Sequence, residues 1–481
     1  MNNIVEIDYL KENDYLNEDI MEEIHLETLR ILKNKGVLVL NKNALKILEK
    51  SSGVIIKENV VRFSEDIINY AINNSPSSIK VKYRKNCSNA MILEEKNSYF
   101  GPGSDTIYVL DYKNGARRLA VLDDIVESVL VADSLDNIDF LMSMGLPSDV
   151  KKEIADIINF YIMISNSDKP VIFTAWNIKN LQSIVNIAGD EKNSIICYAE
   201  PISPLKHSVE ALDKLIFCAE NNIPCVYGCP TILGATSPIA LLSGVTMSCA
   251  LILSGLVISQ LTKKGAPFIS NMHTNPLDFR TLVQPYCSPE GRLTWIICYE
   301  LARRKYKLPK WAAAGFTDSK SLDLQAGIEA SQTLTLDMIY GGNLIHDVGY
   351  MESGLTYSLQ LLVICNEIID ELKRIFGEIK TSSDIFRYKL IKETEIGKSF
   401  MDNLDTLTNY NKEVWYPELI DRNNYQAWEK MGKKDINQRA SEKISSILSS
   451  KKSTIKDNIY EYRLNNELKK MGIYEYLEKN V

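Results

Sequence analysis

Trp311-Ala-Ala-Ala-Gly-Phe-Thr-Asp-Ser-Lys320 is followed by a helical pattern through Asp323 to Glu329 and then by Met338-Ile-Tyr-Gly-Gly-Asn-Leu-Ile-His346-Asp-Val-Gly-Tyr350-Met-Glu-Ser-Gly-Leu-Thr-Tyr357. Two short apolar runs each break off into polar, glycine-bearing tips, with an amphipathic segment between them. That is the strand, loop, helix, strand, loop cadence of a β/α barrel, in which functional side chains sit just past the C-terminal ends of the strands. Asp318, Lys320, His346 and Asp347 occupy such positions.

Working outward, the same cadence recurs from Ser98 onward. Candidate strands are Ser98–Gly101, Ile138–Met144, Val171–Trp176, Ile195–Ala199, Cys225–Gly228, Phe268–Met272, Ala312–Phe316 and Asn343–His346. Eight is the number that closes a ring of parallel strands, a TIM (β/α)8 barrel. Ile107 to Leu110 before Asn114-Gly115 predicts a hairpin above it. Helices are expected over Asp123–Ala132, Asp149–Ser165, His207–Glu220, Thr356–Phe376 and from Pro289, whose missing N–H suits a first helical turn, to Lys305. Residues 1–96 read as an N-terminal α+β region: helix to Lys35, strand Val37–Leu40, helix Ala44–Lys50, strand Val54–Ile56, helix Glu65–Asn74 capped by Ser64, strand Ile79–Tyr83. Residues 377–481 turn polar and helical, and 423–481 are expected to pack on the barrel or on another subunit. The fold class is therefore α/β: a barrel over 97–376 with an N-terminal α+β extension and a C-terminal helical extension.

Charge and composition narrow the function. Lys+Arg 55 against Asp+Glu 62 gives a net charge of −7 over 481 residues, with no basic block, which speaks against nucleic acid. Nine cysteines, an odd number and mostly inside apolar runs, suit buried thiols in a reducing cytoplasm. The start of the chain lacks the basic and apolar regions of a signal peptide. Cys225 to Thr262 carries no charge, yet Pro230, Gly234, Pro238 and Gly244 interrupt it, so a strand, a loop and a buried helix are expected there instead of a membrane span.

Glycine-rich Gly101-Pro-Gly103-Ser-Asp105 lacks the third glycine and the lysine of a phosphate loop and reads as a tight turn. Cys225 and Cys229 would lie ~13 Å apart on a strand, too far to chelate one ion; a rim could still gather Cys229, His273 and Cys287 as zinc ligands. Of the four histidines, His25 and His207 read as structural, whereas His273 and His346 each follow an apolar run and are either satisfied rim residues or functional ones. His346 is favoured because Asp347, Tyr350, Glu352 and Tyr357 follow it closely. Tyr99, Phe100, Trp176, Tyr227, Phe316, Tyr350 and Tyr357 lie in or just after strands. Singly they are core candidates; at one rim together they would present ring faces to a quaternary ammonium.

At these residues the chain resembles the trimethylamine methyltransferase family, in particular its non-pyrrolysine members, which demethylate quaternary amines. The resemblance rests on Gly36-Val-Leu-Val, Tyr99-Phe-Gly-Pro-Gly, Gly115-Ala-Arg-Arg118, Asn137-Ile-Asp-Phe140 with Gly145-Leu-Pro147, Glu200-Pro-Ile-Ser-Pro-Leu205, Gly234-Ala-Thr-Ser-Pro238, Ser319-Lys320 with Asp323 and Gln325-Ala326, and Gly341-Gly-Asn-Leu-Ile-His-Asp-Val-Gly349. Their order spans about residues 25 to 450. It implies a TIM barrel that moves a methyl group from a betaine-like quaternary amine to the Co(I) corrinoid (cobamide) of a cognate partner protein, in one-carbon metabolism of the methanogenic or acetogenic type. The corrinoid would belong to the partner, with no cofactor or metal held tightly by this chain. His346 would be the catalytic residue, with Tyr99, Phe100, Glu200, Asp318, Tyr350 and Tyr357 around the substrate. No pyrrolysine is present, which points away from trimethylamine, and Asp405-Thr406 stands where many relatives have a His-Thr pair. A zinc-dependent methyltransferase and a non-catalytic quaternary-amine-binding barrel are the alternatives, and a homo-oligomer is a further expectation.

Overall fold

Seven of the eight candidate runs form short parallel strands in the computed structural model, which describes residues 14–84, 89–377, 385–451 and 458–473. The strands fall into two sheets. One holds Val171–Thr174, Ile195–Ala199, Cys225–Tyr227 and Phe268–Ser270 side by side; the other holds Trp311–Ala313, Leu344–His346 and Tyr99–Phe100. In register, Cys197 lies opposite Cys225, Val226 opposite Ile269, and Ala313 opposite His346. The two sheets meet at both edges. Ser270 bridges Lys310 in parallel at one. At the other, the run from Ile138 to Met144 forms no regular strand, but Leu141 bridges Val171 and the Asp139 N–H donates to the Phe100 carbonyl at 2.6 Å.

Alternation of side chains along these strands divides the core. Ile172, Ile196, Val226, Ile269 and Leu344 face one enclosed cluster with Phe140, Met142 and Trp311. An antiparallel hairpin, Ile79–Lys82 with Ala90–Leu93, fills the lower end of that cluster with Ile79, Val81, Met91 and Leu93. The alternate residues, among them Phe173, Ile195, Cys197 and Tyr227, face the surrounding helices. The first strand of the hairpin is legible as an alternating run; its partner is not, because Ala90-Met-Ile-Leu93 carries no polar alternation.

Helix Leu241–Thr262 is long and apolar enough, by length and composition alone, to cross a membrane, but 78% of its most apolar window is buried inside the protein. Helices Glu18–Asn34 and Glu65–Asn74 pack on it. Gly255 of this helix is a packing requirement: a Cβ there would meet the Tyr227 ring at 2.4 Å. Val37–Val39 joins the N-terminal region to the remainder by pairing in parallel with Lys206–His207, and on its other side with Val60–Phe63, a strand without a clear signal in the sequence. Ser64 stands at the N-cap of Glu65–Asn74 in extended geometry, but its hydroxyl makes no cap hydrogen bond. Pro289 opens its helix as expected; the α-helix stops at Glu300 and continues as a π turn over Leu301–Lys305. The hairpin of Tyr108–Leu110 and Arg117–Leu119 forms at the Asn-Gly turn. Among the C-terminal helices, Ile436–Ser450 packs on Leu359–Ile375 and Asn458–Lys470 on Ile178–Ala188.

Candidate active site

Residues from five strands and the loops that follow them, with Pro230 from beyond a sixth, Cys225–Tyr227, converge on a cavity of about 100 Å³. Ser104 comes from the loop after Tyr99–Phe100, Tyr198 and Glu200 from the end of Ile195–Ala199, Asn271 and His273 from beyond Phe268–Ser270, Trp311 and Ala312 from their strand, and His346 and Asp347 from the end of Leu344–His346. Tyr286, Gln284 and Trp295 close one side.

The lining is aromatic and acidic. The Trp311 ring lies 4.3 Å from His346 and 5.4 Å from Tyr198, centroid to centroid, and Trp295 lies 5.0 Å from His273. The Tyr198 hydroxyl donates to Glu200 Oε1 at 2.6 Å, while Asn271 Nδ2 donates to the same hydroxyl at 3.3 Å. Burial raises the Glu200 pKa, and burial raises that of Asp347 well above the usual carboxylate range. Asp347 holds a left-handed φ of 65°, and its Oδ1 is buried without a partner, as is Trp311 Nε1. The lining residues include no lysine, arginine or cysteine.

His346 is fixed by its backbone contact. Nδ1 lies 2.7 Å from the Ala312 carbonyl, which can only accept, so Nδ1 carries the proton and Nε2 the lone pair. Burial lowers the His346 pKa to about 3, and Nε2 lies 3.3 Å from Asp347 Oδ2. Burial disfavours charge on both partners of this contact. His273 is likewise held neutral, its pKa lowered to about 4 by burial.

The sequence-derived candidates divide. His346 and Glu200 line the cavity, as do Asp347 and His273. Asp318 stands behind it: its carboxylate accepts the Tyr286 and Cys287 backbone N–H groups, each at 2.9 Å, and the Ser353 hydroxyl at 2.7 Å, which fixes Tyr286. Tyr99 does point inward, but one layer too low; its hydroxyl accepts from the Ile92 N–H of the plugging hairpin at 2.9 Å. Phe100, the next residue, alternates to the helix-facing core. Tyr350 donates to the Met144 carbonyl at 3.0 Å, and Tyr357 pairs with Tyr350 across an antiparallel bridge; both are buried outside the cavity. The aromatic wall instead comes from Tyr198, Tyr286, Trp295 and Trp311. Tyr198 was within reach of sequence reasoning, lying two residues before Glu200 on the same face of a strand. Trp311 falls one residue before the expected start of its strand.

The side chains weighed as zinc ligands, Cys229, His273 and Cys287, do not form a cluster of ligand atoms among the described residues; the groups that do are Cys197–Cys218–Cys225 and Cys287–Asp318–Glu329. In the second, Asp318 and Glu329 already accept backbone N–H groups.

A trimethylamine methyltransferase (MTTB) family profile matches residues 4–470. The chain belongs to the trimethylamine methyltransferase family. Trimethylamine methyltransferase MttB of Desulfitobacterium hafniense is 29% identical over 448 residues, covering 90% of this chain and 88% of that protein. Glycine betaine methyltransferase of the same species is 25% identical over 452 residues, covering 91% and 93%. Among solved structures, dihydropteroate synthase from Xanthomonas albilineans overlaps 59% of this chain and 96% of its own, with 11% identity and a TM-score of 0.36, too low to carry an argument. Membership of this family makes the chain a methyltransferase.

Proposed function

We propose that this protein transfers a methyl group from a quaternary amine to the corrinoid of a partner protein, at the mouth of a (β/α)8 barrel formed by the two linked parallel sheets. The observation that carries the proposal is the cavity wall: Tyr198, Tyr286, Trp295 and Trp311 around a space that also holds Glu200. Ring faces and a carboxylate both favour a cation, and a desolvated cation–π contact contributes about 0.5–2 kcal/mol.

The chain's own residues have a limited set of tasks. A quaternary amine leaves as a neutral tertiary amine, so no general acid is required. With no cysteine or lysine in the lining, the cavity offers no strong nucleophile of its own, which fits an external methyl acceptor. When bound, the partner's Co(I) supplies that nucleophile and receives the methyl carbon in a direct displacement. The protein's contribution is to strip water from the cation and to hold one methyl in line with the opening. His346, neutral and locked by Ala312, presents an unchanging wall beside Trp311. Glu200, braced by Tyr198, supplies the counter-charge. The betaine-like tail expected from the resemblance would meet only neutral donors in the lining, Asn271 and Gln284 among them. We assign the reaction to the reducing cytoplasm.

The test is a panel of quaternary amines incubated with the protein and with Co(I) corrinoid, free or carried by the cognate protein, followed by absorbance. Growth of a methyl-cobalt spectrum with at least one quaternary amine is expected. Binding of those amines by calorimetry with no methyl-cobalt signal from any of them would replace this reading with the non-catalytic one, and a stoichiometric zinc required for activity would replace it with the zinc-dependent one.

A further inference from the structure

We propose that Arg292 is a positioning residue that gives the cavity a positive pole and so selects a substrate with an anionic tail. The proposal rests on the reading that this cavity takes a quaternary amine, and adds the tail and its orientation. Arg292 is 6% exposed, and its guanidinium lies 4.1 Å from the Trp295 ring centroid and 4.9 Å from that of Phe316. Nη1 donates to the Ala313 carbonyl at 3.2 Å, whereas Nε and Nη2 are buried without a partner. Among the described residues no carboxylate accepts from this guanidinium. Asp337 feels its charge but makes no contact with it, and burial raises the Asp337 pKa to about 7, so its compensation is weak near neutrality. An arginine stays protonated in a protein, and a buried charge is costly until something of opposite sign offsets it.

That charge stands behind one wall of the cavity. Trp295 and Asn275 line this wall, the Trp295 indole donating to Asn275 Oδ1 at 3.0 Å. The first turn of helix Pro289–Glu300, which carries Arg292, packs on the same asparagine: a Cβ at Gly291 would meet Asn275 Oδ1 at 2.5 Å. The positive end of the helix dipole therefore adds to the guanidinium on this side. The charge is felt at the wall, where His273 lies 5.0 Å from Trp295; burial lowers the His273 pKa, and Arg292 adds to that shift.

Glu200 belongs to another part of the wall. It follows strand Ile195–Ala199, and the strands Cys225–Tyr227 and Phe268–Ser270 separate that strand from Trp311–Ala313, whose last carbonyl receives Arg292. The cavity thus has a negative pole at Glu200 and a positive pole behind Trp295. A simple cation gains from the first and loses to the second. A dipolar ion gains from both when its ammonium lies toward Glu200 and Tyr198 and its anionic tail toward Trp295 and Asn275. The neutral donors of the lining would make the contacts, and Arg292 would supply the field that orients them toward an anion.

The test is calorimetric binding of glycine betaine, γ-butyrobetaine and choline, two carboxylate-tailed amines and one hydroxyl-tailed amine, to wild type, Arg292→Met and Arg292→Lys. Wild type is expected to bind at least one carboxylate-tailed amine about tenfold more tightly than choline. Arg292→Met should weaken that amine about tenfold while choline binding holds or tightens, and Arg292→Lys, which keeps the charge, should retain the preference. A merely structural role would weaken all three amines together. Equal losses in Arg292→Met, or no loss for the carboxylate-tailed amine, therefore overturn the proposal. Should Arg292→Met fail to fold, wild type decides, and choline bound as tightly as both carboxylate-tailed amines overturns it. Wild type that binds none of the three removes the quaternary-amine reading itself, and this proposal with it.

Discussion

His346 shows how one backbone contact sets the chemistry of a side chain. The Ala312 carbonyl dictates the tautomer, and burial holds the ring neutral with a pKa near 3. Methyl transfer should accordingly show no titration of His346 between pH 5.5 and 8 in its kcat/KM profile, while His346→Ala should lower kcat/KM by about a hundredfold, roughly 2.7 kcal/mol. An alanine variant with wild-type kinetics would remove His346 from the site. His207 illustrates the same physics away from the cavity. It is fully buried between Tyr227 and Ser254, at 2.7 and 2.8 Å, with its pKa lowered to about 3. In the unfolded chain it regains a pKa of ~6.5. Its stabilising contribution is therefore complete above that value and declines as pH falls below it. The stability difference between wild type and His207→Gln should shrink by roughly 1 kcal/mol from pH 6.5 to 5.5 in urea titrations; a constant difference would show that the folded protein accepts the proton.

At the scale of elements, the site is a meeting of loops that a single carboxylate ties together. Asp318 follows one strand, yet it anchors the Tyr286–Cys287 backbone from the loop preceding helix Pro289–Glu300 and Ser353 from the loop after Leu344–His346. Removing it as Asp318→Ala frees two buried-side N–H groups and loosens Tyr286. We expect KM for the amine to rise about tenfold, ~1.4 kcal/mol, with kcat little changed. An unchanged KM would mean that Tyr286 holds its place without the tie. Strand alternation and height in the interior account for two of the candidate residues that fell elsewhere. Phe100 alternates away from the interior, and Tyr99 enters it below the cavity, where the hairpin around Ile92 occupies the space. The order of strands and helices along the chain was legible because apolar runs of strand length alternate with amphipathic segments. Ile138–Met144 was legible as an extended run, but only tertiary packing decided that it would touch its neighbours through isolated bonds and not a regular ladder.

At the scale of the whole molecule, one core cluster runs from Leu16 to Leu468, so the N-terminal and C-terminal segments are bound into the same packing as the strands and their helices. Glu467, only 6% exposed, illustrates the bond: it accepts from Ser183 at 3.0 Å and pairs with Lys470 at 2.6 Å. Glu467→Ala should cost about 1–3 kcal/mol in urea unfolding by leaving the Ser183 hydroxyl without its acceptor. A cost near zero would indicate that the last described helix adds little to the stability of the body.

The sequence by itself determined the α/β cadence, the family and four members of the cavity, Glu200, His273, His346 and Asp347, because periodicity and residue type are local properties written along the chain. What tertiary structure alone decided was which aromatic rings share a space. A residue's height in the interior depends on strand register and on the hairpin that fills the lower end, and both are set by contacts between segments far apart in the chain. That is why Trp311 and Trp295 joined His346 and Glu200 at the mouth, while Tyr350 and Tyr357, closest to His346 in sequence, were packed behind it.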